Sequence, residues 1–71
     1  MQSTIAMKVN KAFEKKGNKL TGREREIVER YYGLGGNLRH TLQELGNEYG
    51  VTRERIRQIK AAALINIGAN I

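Results

Sequence analysis

Four side chains in one short stretch are of the types that read nucleic-acid bases. Within Val51–Lys60, V-T-R-E-R-I-R-Q-I-K, residues Arg53, Glu54, Arg57 and Gln58 fall on one face of a helix. Arg presents paired donors to guanine, Gln pairs with adenine, and Glu accepts from the amino group of cytosine. Ile56 and Ile59, one turn apart, fall on another face and can enter a core. A helix that divides its surface this way is suited to lie in a DNA major groove. Something must then hold its apolar side.

Other chemistry has little to work with. The chain has no cysteine, so it has neither a disulfide framework nor a thiolate metal site. Its one histidine, His40, cannot bind a metal alone and is read as an exposed loop residue. Thr21, Glu24 and Glu44 stand where helix caps need them, and no nucleophile–base pair or phosphate loop has a suitable spacing. No enzyme activity, catalytic residue, cofactor or metal is expected. No apolar run approaches the roughly 20 residues of a membrane span. The start, M-Q-S-T-I-A-M-K, lacks the basic-then-apolar order of a secretory signal. A soluble, cytoplasmic protein without a membrane partner is expected.

The net charge of +6 over 71 residues is uneven. Residues 1–19 carry five Lys against Glu14, residues 20–50 four Arg against five Glu, and residues 51–71 three Arg and Lys60 against Glu54. Basic charge at both ends of a small domain suits a polyanionic partner as well as solubility.

The elements that position the reading face are helical. Proline is absent and no stretch alternates like a strand. The spacing predicts helices near 3–16, 22–32, 42–49 and 53–67, an all-α domain of four helices in which the first three support the fourth. Ile5, Val9, Ala12 and Phe13 form an apolar stripe on the first helix, with Lys8, Lys11, Lys15 and Lys16 mostly off it. Those lysines read as a solvated face, or alternatively as phosphate contacts. Ser3 or Thr4 can cap this helix, and Gly17-Asn18 can end it in a left-handed turn. Thr21-Gly22-Arg23-Glu24 and Thr41-Leu42-Gln43-Glu44 both read as capping boxes. Gly33 is a natural stop, with Leu34 folding back behind it. Ile56, Ile59, Ala63 and Ile67 face inward on the last helix, which Gly68 ends.

Residues 42–61 fit a helix-turn-helix. Gly46 supplies the small residue where the two helices approach, Gly50 the left-handed turn, and Leu45, Tyr49, Val51, Ile56 and Ile59 the inner apolar positions. Thr52 caps the second helix. Arg53, Glu54, Arg57 and Gln58 would reach bases, while Thr52 and Arg55 would lie near the DNA backbone.

L-T-G-R-E-R-E-I-V-E-R-Y-Y-G-L followed by T-L-Q-E-L-G-N-E-Y-G-V-T-R-E-R-I-R-Q-I resembles the C-terminal domain, region four, of bacterial primary-type sigma factors. The resemblance covers residues 20–64. It implies a winged-helix-like domain whose last helix binds the promoter −35 element in double-stranded DNA. By that resemblance Arg23 touches the DNA backbone, and Thr41 and Lys60 join Thr52 and Arg55 there. It also implies docking on the flap of the RNA polymerase β subunit. A sigma mimic that occupies the flap is the alternative function, for which the apolar tail L-I-N-I-G-A-N-I offers a partner surface. The simpler reading of that tail has Ile65 and Ile67 padding the core against the first helix.

Departures from the family pattern are expected to matter. Tyr31 stands where a basic backbone contact is common, Lys60 where an acid is, and Ala62 where activators meet a lysine. No region two is present, so the chain is expected to be a separate small bacterial regulator, of phage or mobile-element origin, or an excised domain. The expected organisation is one domain over 1–71, with a basic N-terminal helix at 1–19 and the region-four-like part at 20–71. A monomer is expected.

Overall fold

Three threonines start three of the helices. In chain order the elements are α1 (Thr4–Lys16), a 3-10 turn (Gly17–Lys19), α2 (Gly22–Tyr32), α3 (Leu42–Tyr49) and α4 (Arg53–Asn66). The structure is a computed structural model and describes residues 4–69. Among them there is no strand, and so nothing that forms the β-wing of a winged helix.

Both capping boxes are complete. The Thr21 hydroxyl accepts from the Glu24 amide at 3.4 Å, and the Glu24 carboxylate accepts from the Thr21 amide at 3.0 Å. The corresponding distances for Thr41 and Glu44 are 3.0 and 2.8 Å. The Thr41 amide, followed by the Thr41 hydroxyl, holds the Glu44 carboxyl below the ordinary carboxylate range. The Thr52 hydroxyl accepts from the Arg55 amide at 3.1 Å. Such caps are each worth roughly 0.5–2 kcal/mol.

Two apolar clusters hold the helices together. Ile27 of α2, Leu45 of α3, and Ile56 and Ile59 of α4 form one, with Tyr31, Leu42, Tyr49 and Val51 packed around it. This cluster fixes the rotation of α4 about its own axis. The second joins Val9, Leu20, Val28, Leu34, Ala63, Leu64, Ile67 and Ala69, with Phe13 and Ala12 from α1 against it. Fully burying one side chain of this size contributes about 1.5–3 kcal/mol.

Two glycines make the close approach and the turn between α3 and α4 possible. At Gly46 an added Cβ would lie 2.7 Å from the Val51 carbonyl oxygen and 3.2 Å from the Arg53 nitrogen. At Gly50 the backbone turns through the left-handed region, with φ 71°, and its amide donates to the Gly46 carbonyl. The inner residues predicted for this motif are all in the cluster or against it.

The structure corrects several expectations. Gly17 and Asn18 are not left-handed; Gly17 is buried and sits in a 3-10 turn, where an added Cβ would meet the Phe13 ring at 3.3 Å. Ile5 does not complete the inner stripe of α1 but is 47% exposed, because it packs against neither cluster, which α1 reaches through Val9, Ala12 and Phe13. Ile67 enters the core as expected, whereas Ile65 is 79% exposed. On a helical period Ile65 falls about 200° from Ala63, on the opposite face. His40 is half-buried and hydrogen-bonded rather than free in its loop. Ser3 as a cap, and the end of the apolar tail at 70–71, lie outside the described residues.

Candidate nucleic-acid interface

Arg53, Glu54, Arg57 and Gln58 emerge together on the first two turns of α4, all exposed. Ile56 and Ile59, locked into the core, determine which way this face points. Arg55 is exposed on the same turns.

Two of these residues already engage each other. The Arg57 side chain grips Glu54 as a fork, with Nε donating to Oε1 at 2.9 Å and Nη2 to Oε2 at 2.6 Å. The Arg57 guanidinium is the main cause that holds the Glu54 carboxyl below its ordinary range. The same bonds raise the arginine further above its already high value. The pair is solvent-exposed, so opening it costs little. It orients both groups before any partner arrives. A guanine would have to draw Arg57 donors away from Glu54, and a cytosine amino group would compensate the carboxylate.

The expected backbone residues stand in different circumstances. Thr52 and Thr41 lie at the starts of α4 and α3, with their hydroxyls accepting from helix amides. Arg23 is exposed, its guanidinium 5.4 Å from the centre of the Tyr49 ring. Lys60 is drawn inward: its ammonium lies 4.7 Å from the Tyr31 ring centre and 5.9 Å from that of Tyr32. Burial, and then Arg57, lower the pKa of this lysine. Lys60 would have to leave the tyrosines to reach a phosphate. The two departures read from the sequence, Tyr31 and Lys60, therefore meet in space as one cation–π contact.

Sequence reasoning passed over Arg39 and Gln43. With Tyr31, His40, Thr41, Leu42 and Arg53 they line an open groove of about 550 Å³ beside the start of α4. No local pattern announces this, because Arg39 belongs to a glycine-rich connection and meets Arg53 only through the fold. Polar ties between α2 and α3 shape the same region. Arg30 pairs with Glu48, and the Tyr49 hydroxyl donates to Glu26 at 3.3 Å. The hydrogen bond to Glu48 is the largest influence raising the pKa of Arg30.

Lys8, Lys11, Lys15 and Lys16 are exposed. The Lys16 ammonium lies near Gly68, at the opposite end of α4 from Arg53.

Comparison with known proteins finds that residues 18–67 match the family described as Sigma-70, region 4. The chain is also similar to the RNA polymerase sigma factor RpoD of Neisseria gonorrhoeae, at 51% identity over 45 residues. That alignment covers 63% of this chain and 7% of the relative, so the chain spans a small part of the protein it matches.

Proposed function

We propose that this chain, which belongs to the Sigma-70 region 4 family, reads a promoter element of the −35 type in the major groove of double-stranded DNA. The family is a non-catalytic, DNA-binding one with a role in transcription. In the proposed complex Arg53, Glu54, Arg57 and Gln58 contact bases. Arg23, Thr41, Thr52 and Arg55 contact the backbone, and Lys60 joins them if it swings away from Tyr31. One observation carries this reading. Four base-reading side chains of complementary chemistry are exposed on one face of a helix whose rotation is fixed by buried isoleucines. The chain acts as a monomer in this reading, and its effect on transcription passes through RNA polymerase. No helix among the described residues is long and apolar enough to cross a membrane.

Selection of bound sequences from a random duplex pool, run with and without polymerase core, tests the proposal. Enrichment of one short motif by the chain alone supports base reading. Failure to enrich any sequence under either condition would refute it.

A second reading has its own support. Ile5, Met7 and Ile65 are exposed large apolar side chains on α1 and α4. They suit a sigma mimic that occupies the polymerase β flap and inhibits or redirects transcription. A pull-down with a β-flap fragment separates the two: flap binding without sequence-selective DNA binding favours the mimic.

A further inference from the structure

The connection between α2 and α3 is held in one shape. The Leu34 carbonyl accepts from the Asn37 amide at 3.0 Å and from the Asn37 side chain at 2.7 Å. The His40 amide donates to the Arg30 carbonyl at 2.8 Å. The His40 ring closes the loop from both sides, with Nδ1 2.8 Å from the Leu38 carbonyl and Nε2 3.2 Å from the Arg30 guanidinium. One neutral tautomer serves both contacts: Nδ1 donates to the carbonyl and Nε2 accepts from Arg30. Arg39 therefore has a fixed neighbour at His40. Its aliphatic stem rests on Gly33, where an added Cβ would lie 2.7 Å from Arg39 Cγ.

Arg39 forms no salt bridge with a carboxylate among the described residues, and neither does Arg53. Both line the open groove beside the base-reading face. The Thr41–Glu44 box already occupies the end of α3, so the groove owes its positive character to the two arginines rather than to the helix.

We propose that Arg39 forms a seat for one phosphate of the DNA backbone beside the base contact of Arg53, a contact added by the loop to those of the recognition helix. The inference rests on the DNA-binding reading above. Guanidinium groups present paired donors that match phosphate oxygens. A side chain whose stem is already packed loses less freedom on binding than a mobile one. Such a contact fixes position on the duplex and carries no base information.

The test uses the full chain and two duplexes, one selected from the random pool and one scrambled, titrated with salt by fluorescence anisotropy. Arg39→Ala is expected to weaken binding to both duplexes by the same factor, about tenfold, the loss of one charge-assisted hydrogen bond. It should also lower the slope of log K against log salt by about 0.9, one phosphate's share. Arg39→Lys keeps the charge and should keep the slope. Lys16→Ala, which removes the same charge at the opposite end of α4 from Arg53, should leave the slope unchanged. Unchanged affinity and slope for Arg39→Ala would overturn the seat. So would a loss confined to the selected duplex, or an equal drop in slope for Lys16→Ala. If the wild-type chain does not distinguish the duplexes, base reading fails, while the Arg39 effect is still read on the scrambled one. A helical circular dichroism spectrum for Arg39→Ala shows that the variant is folded.

Discussion

In the helix-turn-helix, Leu45 and Ile56 have no exposed surface, and both helices begin at a threonine cap. In α1, Val9 is buried, but Ile5 and Met7 are about half exposed, at 47% and 52%. The two regions share a sequence signature, apolar residues at helical spacing. They differ in what surrounds them. The motif has a partner on every inner position, and its turn is set by a backbone approach that only glycine permits. Helix α1 meets the second cluster only through Val9, Ala12 and Phe13 among its described side chains. Periodicity thus tells which face of a helix can be buried, and the extent of the opposing surface decides how much of it is.

Substitutions can break or sharpen this contrast. Leu45→Ala should have the largest effect, a loss of about 2–5 kcal/mol in stability measured by chemical denaturation. Val9→Ala removes less buried surface from the looser region and should cost about 1–2 kcal/mol. Equal losses would mean that α1 is as integral as the motif. Gly46→Ala should fall between these two: the new methyl group would meet backbone, the Val51 carbonyl, and should cost about 1–3 kcal/mol. A neutral result would show that the turn yields freely. Ile5→Ser should change stability by about 0.5 kcal/mol or less. A loss of several times that size would place the start of α1 in the core after all.

The smallest effect concerns the recognition face itself. The folded-state pKa of Glu54 lies below its unfolded value, with Arg57 as the main cause. The stabilisation from this pair is therefore present above the ordinary glutamate range and lost as pH falls through the depressed folded value. Titration of the Glu54 carboxyl by NMR should give a midpoint below that of a free glutamate, and Arg57→Ala should move it up. An unchanged midpoint in the variant would remove the fork from the solution structure.

Much of the fold was legible because local signals agreed with one another. Thr21 with Glu24 and Thr41 with Glu44, each pair three residues apart, announce helix starts, and both reciprocal bonds form. Gly46 and Gly50 announce the crossing and the turn. The exposure of Arg53, Glu54, Arg57 and Gln58 followed once Ile56 and Ile59 were assigned inward. What stayed hidden joins residues that are distant in sequence. The His40–Arg30 contact spans ten positions with no repeating pattern. Lys60 reaches Tyr31 across two helices, and Arg39 shares a groove with Arg53. The exposure of Ile65 was readable from the helical period. Its hydrophobicity alone points to the core, whereas its phase points to solvent.

The central claim is that the exposed face of α4 reads bases. Its most direct test is the affinity of the wild-type chain and of Arg57→Ala for the selected duplex and for a scrambled one, at one salt concentration. The variant should lose about 1–3 kcal/mol on the selected duplex and much less on the scrambled one, so that the ratio between them collapses. Equal losses on both duplexes would make Arg57 a backbone contact and would contradict base reading by this face.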